Sequence, residues 1–408
     1  MKILLINHYA GSQKYGMEFR PYYFAKKWVD LGNDVTIMGA SFSHLRSIQP
    51  KIECNFQEEK IDGINYIWVK TPKYKGNGIK RFVNMLIFVA SLLLKAKSIA
   101  KKVEPNVVIA SSTYPLDIFP AKLIAKKTGA KLIFEIHDLW PLSPMILGKM
   151  PKYHPFIMLI QLAENFACKW SDKVVSILPL AKEYLVEHGM DDGKFFHIPN
   201  GVVVEDWMNA EDIPELHKRK IERLKREGKF LICYAGAHGL ANALESFVRA
   251  AKLIKNPQIH LILVGDGLEK QNLIKIANQE NLVNITFLPP VPKRAIPNLL
   301  KEMDVLFFSL QKCSLFKYGI SPNKLIDYMM AKKPIISAVE AGNDIVKEAG
   351  CGLTVEPENI MEYVKSIEEL FKISEKERIL MGEKGREYVL KNNNINDLAT
   401  KVFKEMER

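Results

Sequence analysis

Short apolar runs of strand length, each followed by a turn and a helical stretch, recur along this chain in two blocks, and that alternation constrains the fold more than any other feature. In the first block the runs fall at residues 3–7, 34–38, 66–69, 107–110, 132–136 and 174–177, with helical stretches such as 22–31 and 116–128 between them. Strands alternating with helices predict a mostly parallel, doubly wound α/β sheet. The pattern breaks across 197–229, where IPNGVVVEDW leads into the charged run LHKRKIERLKREGK. It restarts at 230–234, 259–264, 285–288, 305–308, 334–338 and 353–355. The expected organisation is a Rossmann-like domain over 1–198, a linker over 199–228, a second Rossmann-like domain over 229–390, and a C-terminal helix over 391–408 that crosses back to the first. Two such domains are expected to face each other across a cleft, with ligands at the carboxyl ends of the strands.

The length of 408 residues suits two domains, and 48% apolar with 25% charged residues suffices for two cores and excludes disordered, collagen-like and coiled-coil classes. The five cysteines, Cys54, Cys168, Cys233, Cys313 and Cys351, are odd in number, far apart and form no C-x-x-C pair. They argue against a disulfide scaffold or a cysteine zinc site and for a reducing compartment. Met1 leads straight into an apolar run without a basic region or a cleavage site, so the N-terminus reads as a first strand. The longest apolar run, 82–94, contains Asn84 and Ser91 and is too short to span a bilayer. The chain is therefore not expected to cross a membrane.

The formal net charge is +12, and residues 1–200 carry most of it, with 27 Lys/Arg against 17 Asp/Glu. Residues 70–102 hold nine basic side chains and no acidic one, flanking the apolar run. This pattern fits a seat on anionic lipid, with Lys73, Lys75, Lys80 and Arg81 among the lipid-facing cations, and equally fits a buried crossover helix with solvated lysine ends. Nucleic acid is not expected as a partner, because no binding motif and no interleaved aromatic residues accompany the charge.

The loop after the first strand, HYAGSQKYGMEF, is not a dinucleotide fingerprint, since Gly11 and Gly16 are five apart, so a nicotinamide cofactor is not expected. It suits closing over a diphosphate. The VGDG turn at 264–267 lacks a further glycine and reads first as a structural turn. The sequence has neither a P-loop nor a D-x-D pair, so a metal-independent site is expected, with anionic charge met by lysine, arginine and helix N-termini. The segment 315–336 offers such groups: Ser321 and Pro322 at a helix start, Lys324 in the first turn, and Asp327 one turn on, able to accept from ribose hydroxyls. An ordinary capped helix with surface charges would read the same. At the end of the fifth strand, EIHDLWP places His137 and Asp138 where an α/β sheet presents its ligands, although a hydrogen-bonded loop histidine is the plain alternative. His44, His154, His188 and His217 show no metal spacing and carry no assignment.

Taken together, the opening strand with YGMEFRPYYFAKKW, then EIHDLWP, SDKVVSILPLAKEYL with IPNGV, YAGAHG, LILVGDG and SPNKLIDYMMAKKPII resemble the retaining glycosyltransferases of family 4, of GT-B architecture, almost end to end. The likeness is greatest to the subgroup that moves N-acetylated amino or deoxyamino sugars in O-antigen and capsule assembly. The resemblance implies donor contacts at Gly16, Gly236, Ser321, Asn323, Lys324 and Asp327, a reacting centre at His137 and Asp138, and an acceptor side at Glu18, Arg20 and Trp140. It implies a UDP-sugar donor, no metal or other cofactor, and a polyprenyl-diphosphate-linked or oligosaccharide acceptor bound by the N-terminal domain. It also implies a cytoplasmic enzyme held peripherally on the inner face of the cell membrane. Two places depart from the family pattern: Ala237 and Asn242 stand where an arginine and a lysine are common, and the paired glutamates fall on Gly319 and Asp327. Phosphate anchoring is then expected to rest on Lys324 and backbone N–H groups. A sugar-nucleotide 2-epimerase of GT-B type and a non-catalytic sugar-nucleotide or lipid-binding module are the alternatives.

Overall fold

The architecture comes from a computed structural model, which describes residues 1–16, 19–76 and 78–408. The chain forms two compact units: residues 1–200 with 395–408, and residues 201–394. In the first, strands β1 (Lys2–Ile6), β2 (Asp34–Ala40), β3 (Gln57–Ile61), β4 (Ile64–Val69), β5 (Val107–Ala110), β6 (Lys131–Ile136), β7 (Lys173–Ser176) and β8 (Phe195–His197) make one sheet of order β3-β4-β2-β1-β5-β6-β7-β8. Every pairing is parallel except β3 with β4. In the second, β9 (Phe230–Ala235), β10 (Ile259–Val264), β11 (Ile285–Leu288), β12 (Val305–Ser309), β13 (Ile335–Ala338) and β14 (Gly352–Val355) form an all-parallel sheet of order β11-β10-β9-β12-β13-β14.

Both orders reverse direction at the strand that opens the unit. β1 has β2 on one side and β5 on the other, and β9 has β10 on one side and β12 on the other. The loops leaving the two strands of each such pair run to opposite sides and open a crevice at their carboxyl ends. Helices on both faces bury these strands, so β9, β1 after Lys2 and β10 apart from the buried His260 read as apolar runs rather than alternating ones.

Residues 201–228, expected as a linker, belong to the second unit. Val202, Trp207, Ile221 and Leu224 are buried in the core that also holds Leu231 and Leu306. His217, on the same inward face of helix Glu215–Arg226, has Nε2 2.8 Å from the Pro289 carbonyl. The charges that suggested a linker are the solvated face of this helix.

Helix Ile79–Val103 holds the basic, apolar segment, and by length and composition it could cross a bilayer, contrary to the reading of 82–94 as too short. Its two faces explain the double character. Met85, Phe88, Val89, Leu92, Ala96 and Ile99 are buried against the domain, while Ile79, Val83, Leu86, Ile87, Leu93 and Leu94 are exposed.

Helix Ile395–Glu407 closes the first unit. Leu398, Ala399, Val402 and Met406 are buried, the Trp28 indole donates to the Ala399 carbonyl at 2.9 Å, and Lys131 Nζ donates to the Met406 carbonyl at 2.6 Å. Leu398→Ala should therefore lower the unfolding free energy by about 2–4 kcal/mol, because a fully buried leucine leaves a cavity that cannot fully collapse. Urea unfolding of the two proteins checks this, and a shift under 0.5 kcal/mol (roughly that of a surface change) would remove the helix from the core.

Candidate functional site

In the first unit the crevice lies between β1 and β5. The Asn7 amide, just past β1, donates to the Ser111 carbonyl at 2.7 Å, just past β5. The Ser111 hydroxyl donates to Glu135 Oε2 at 2.6 Å and lies 3.1 Å from His137 Nε2. Glu135 is the penultimate residue of β6, and its side chain is 5% exposed. Arg20 meets it: Nε donates to Glu135 Oε1 at 2.9 Å, Nη1 to the Pro199 carbonyl at 2.6 Å and Nη2 to the Ile198 carbonyl at 3.0 Å.

Burial alone would raise the Glu135 carboxyl. The Arg20 guanidinium, then His137 and hydrogen bonds from His137 and Ser111, outweigh it and hold the carboxyl well below the usual carboxylate range. His137 Nε2 lies 3.6 Å from Glu135 Oε2, so an imidazolium at this place would face a fixed carboxylate.

Several expected roles change. Arg20, expected on the acceptor side, spends three donors inside the domain and is buried. Asp138 accepts from the Leu139 N–H at 2.9 Å and the Ser143 hydroxyl at 2.5 Å, and burial raises its carboxyl pKa despite these bonds; it braces the turn into helix Leu142–Ile146. The Trp140 ring packs near Tyr114 and edge-on to Phe156. Gly16 occupies the left-handed region with φ 67°, and a Cβ there would meet Ser47 Oγ at 2.8 Å. Glu18 lies outside the described residues. Lys73, Lys75 and Lys80 are exposed, but Arg81 is half-buried and donates through Nη2 to the Tyr9 hydroxyl at 3.0 Å. It faces the strand edge rather than standing in a lipid-facing row.

In the second unit, helix Asn323–Met330 begins beside β9. Lys324 Nζ donates to the Tyr234 hydroxyl at 2.5 Å and to Asn242 Oδ1 at 3.0 Å, and lies 4.2 Å from the Tyr234 ring centroid. Desolvation lowers its pKa to about 7. The aliphatic arm crosses Gly236 so closely that a Cβ there would sit 2.4 Å from Lys324 Cε, and the lysine arm would have to shift to admit one. Asn242, standing where the family pattern has a cation, uses its amide to donate to the Ala237 carbonyl at 3.0 Å and its oxygen to hold Lys324. Asn323 is exposed and Ser321 half-buried at the helix start. Asp327, expected to receive ribose hydroxyls, is instead ion-paired with Lys293.

The sequence reading missed Glu135, Ser111, Tyr234 and Lys293. For Glu135 a signal existed: one carboxylate inside the apolar run 132–136 must be paired if that strand is buried.

Residues 15–206 match the family described as Glycosyltransferase Family 4, and residues 215–388 match that described as Glycosyl transferases group 1. In class, then, the chain is a glycosyltransferase of the GT-B fold, with a family 4 domain followed by a group 1 domain. Over 286 residues it is 21% identical to the Pseudomonas aeruginosa protein named "Probable glycosyltransferase WbjE", covering 69% of this chain and 70% of that one. It is 24% identical over 258 residues to the Escherichia coli (strain K12) protein named "Putative colanic acid biosynthesis glycosyl transferase WcaI"; the match covers 60% of this chain and 61% of the relative, less than two thirds of its length. The Anabaena protein Alr3699/HepE, solved in complex with UDP and glucose, shares the fold at a TM-score of 0.67 and 15% identity over 100% of this chain and 99% of that one.

Glu135→Gln should cost about 3–5 kcal/mol of stability at pH 7, because it leaves the Arg20 charge buried and uncompensated. A carboxyl held low in the fold stabilises above its unfolded pKa and loses that contribution as pH falls toward its folded value. The wild type should therefore weaken in urea below about pH 4, and the variant should lack that part of the slope. Equal stability of the two proteins at pH 7 would overturn the assignment.

Proposed function

We propose that this chain is a retaining glycosyltransferase that moves a sugar, an N-acetylated amino sugar by its subgroup likeness, from a UDP-sugar to a lipid-linked saccharide in bacterial surface polysaccharide synthesis. The observation that carries the reading is Lys324. An ammonium stripped of water, with a pKa near 7, at the start of a helix and at the carboxyl edge of a parallel sheet, is poised for an anion. The HepE complex with UDP and glucose and the colanic acid name of WcaI support a nucleotide-sugar donor and a polysaccharide product.

In the proposed reaction the bond from the anomeric carbon to the diphosphate oxygen breaks and the bond to the acceptor oxygen forms on the same face. The acceptor's proton passes to the departing diphosphate. Lys324 and the backbone N–H groups at the start of its helix take up the charge that develops there, without a metal. Each positioned donor of this kind is worth on the order of 10² to 10³ in rate. His137, held by Ser111 and Glu135, orients the incoming hydroxyl.

The reading places the enzyme in the cytoplasm, on the inner face of the membrane. Its support is the exposed stripe of Ile79, Val83, Leu86, Ile87, Leu93 and Leu94 beside Lys80, Lys95 and Lys97, in a helix whose other face belongs to the core.

Incubation with a panel of UDP-sugars, with and without prenyl-diphosphate acceptors, tests the reaction. Product with an inverted anomeric centre, or turnover of donor without any acceptor, would sink it. UDP affinity should fall as pH rises from 7 to 9, by up to tenfold per unit, because the bound form needs a charged Lys324 and the free form loses its proton near 7. Lys324→Gln should bind UDP more weakly at pH 7 and with a flat profile; calorimetry reads both.

Replacing Lys73, Lys75 and Lys80 together by glutamine should release the protein from anionic vesicles at low salt, since each surface-near cation contributes about 1 kcal/mol. Raised salt should weaken the wild type in parallel. Wild-type protein that fails to sediment with anionic vesicles at low salt would remove the membrane reading.

A further inference from the structure

Helix Ile79–Val103 runs past its exposed apolar stripe to a basic end, and helix Ile118–Thr128, packed beside it, also ends in lysines. Neither helix contains Asp or Glu. Residues three, four and seven apart share one face of a helix, so Leu93 and Leu94 stand in line with Lys97 and Lys101, and Leu123 stands in line with Lys127. All six side chains are exposed, Leu94 by 85%. Between the two helix ends runs an open groove of about 520 Å³, and its polar lining comes from Lys97, Lys101, Glu104, Asn106, Lys127 and Thr128. Residues 104–106 lead into the amino end of β5, so the groove lies away from the carboxyl edge that holds His137.

The groups of this groove are unequally engaged. Glu104, the one carboxylate in its lining, accepts from Lys2 Nζ at 2.9 Å. The Thr128 hydroxyl donates back to the Ile124 carbonyl at 3.2 Å. The Asn106 side-chain oxygen accepts from the Lys2 N–H at 2.7 Å, while its amide nitrogen has no partner among the described residues. Lys97, Lys101 and Lys127 likewise make no hydrogen bond or ion pair with the described residues, in contrast to the adjacent Lys102, which pairs with Glu58. A lysine near a helix C-terminus complements the helix dipole, but each helix end supplies only roughly half a negative charge. With Glu104 neutralised by Lys2, three ammonium groups against two helix ends leave about two positive charges in surplus.

The surroundings say which anion fits. A soluble phosphate needs cations alone, whereas here exposed leucines precede the cations on both helices, and such leucines gain by meeting apolar matter. A second copy of this chain packed face to face would set these lysines against their own counterparts, and like charges brought together oppose association. An amphiphile with a negative head satisfies both features. We propose that the groove seats the phosphate headgroup of an anionic phospholipid, held by Lys97, Lys101, Lys127 and the Asn106 amide, with its acyl chains passing Leu93, Leu94 and Leu123 into the bilayer. This deepens the proposed function and rests on its membrane reading. Lysine suits the position, because its methylene stem lies along apolar surface while the ammonium reaches the headgroup. With Lys73, Lys75 and Lys80 near one end of helix Ile79–Val103 and this groove at the other, the helix is held at both ends and lies in the plane of the interface rather than across the bilayer.

Co-sedimentation of the full chain with vesicles of equimolar phosphatidylcholine and phosphatidylglycerol tests the site, with pure phosphatidylcholine vesicles and soluble glycerol phosphate as the other probes. Replacing Lys97, Lys101 and Lys127 together by glutamine should weaken binding to the mixed vesicles by about tenfold or more. A control removes the same charge elsewhere: Lys26, Lys401 and Lys404, exposed on helices Phe19–Asp30 and Ile395–Glu407, become glutamine and should cost about threefold at most, as a screened long-range effect. Leu94→Ser should weaken vesicle binding while leaving thermal unfolding unchanged, since that side chain is exposed in the free protein. Equal losses in the lysine variant and the control, with the wild type bound, would overturn the groove and leave the membrane reading standing. Wild-type protein that binds both kinds of vesicle alike would overturn the anionic headgroup. Glycerol phosphate bound as tightly as the mixed vesicles, and lost in the lysine variant, would overturn it too, assigning the groove to a soluble phosphate. Wild-type protein left in the supernatant with the mixed vesicles sinks the membrane reading, and this site with it.

Discussion

The ion pair between Arg20 and Glu135 is the contact on which the carboxyl edge of the first unit's sheet depends. Two charges with 7% and 5% of their side chains exposed are tolerable in a protein interior only if every lone pair and N–H has a partner. Meeting that demand draws together segments far apart in sequence: the helix holding Arg20, the end of β6, Ser111 past β5 and the carbonyls of Ile198 and Pro199. The loop with His137 is therefore set by a network whose geometry cannot relax piecemeal. Pro199 stands just before residue 201, where the chain enters the second unit. The same guanidinium thus fixes the strand edge beside His137 and the point of departure.

The second unit solves a related problem differently. Among the described residues no carboxylate pairs with Lys324; phenol, amide and ring face receive it, and removal of water lowers its pKa. Tyr234 and Asn242 are in turn held by the Ala237 carbonyl, to which both donate. The Tyr328 hydroxyl bonds both the N–H and the carbonyl of Ala235. A side chain missing at Gly236 makes room for the lysine arm. The residues that depart from the family pattern at 237 and 242 are thus parts of a clamp on one lysine.

How far this was legible follows from what kind of signal each element leaves. All twelve predicted apolar runs lie on strands, because strands buried on both faces are apolar except where a polar side chain such as Glu135 or His260 finds a partner inside. The two missed strands are edges: QEEKI at β3, antiparallel with Ile61 its only fully buried residue, and the three-residue β8. Edge strands are short or charged, so they carry no such run. Residues 199–228 were misread because helix Glu215–Arg226 turns only His217, Ile221 and Leu224 inward. Arg81 was counted with its neighbours because composition does not tell which way one residue of a helix's first turn points. Lys324 was readable from its helix start, but its partners Tyr234 and Asn242 lie some eighty to ninety residues away in sequence, beyond any local pattern.

A common electrostatic logic joins the two edges. At each, cations or potential cations are kept where their charge is suppressed: Lys324 by desolvation, His44 and His8 by burial and the neighbouring arginines. A buried cation that stays charged needs either a counter-ion, as Arg20 has in Glu135, or a full set of acceptors, as Arg46 has in the Ala10 and Ala40 carbonyls and Gln49. Glu135 is such a counter-ion, and Arg20, which it satisfies, is closed to ligands. Lys324, received by neutral groups, has its pKa lowered instead, so it repels its surroundings less than a fully charged buried ammonium would. Arg20 is thus committed to the fold by its carboxylate and Arg46 by the Ala10 and Ala40 carbonyls and Gln49, whereas Lys324 is held by neutral groups alone.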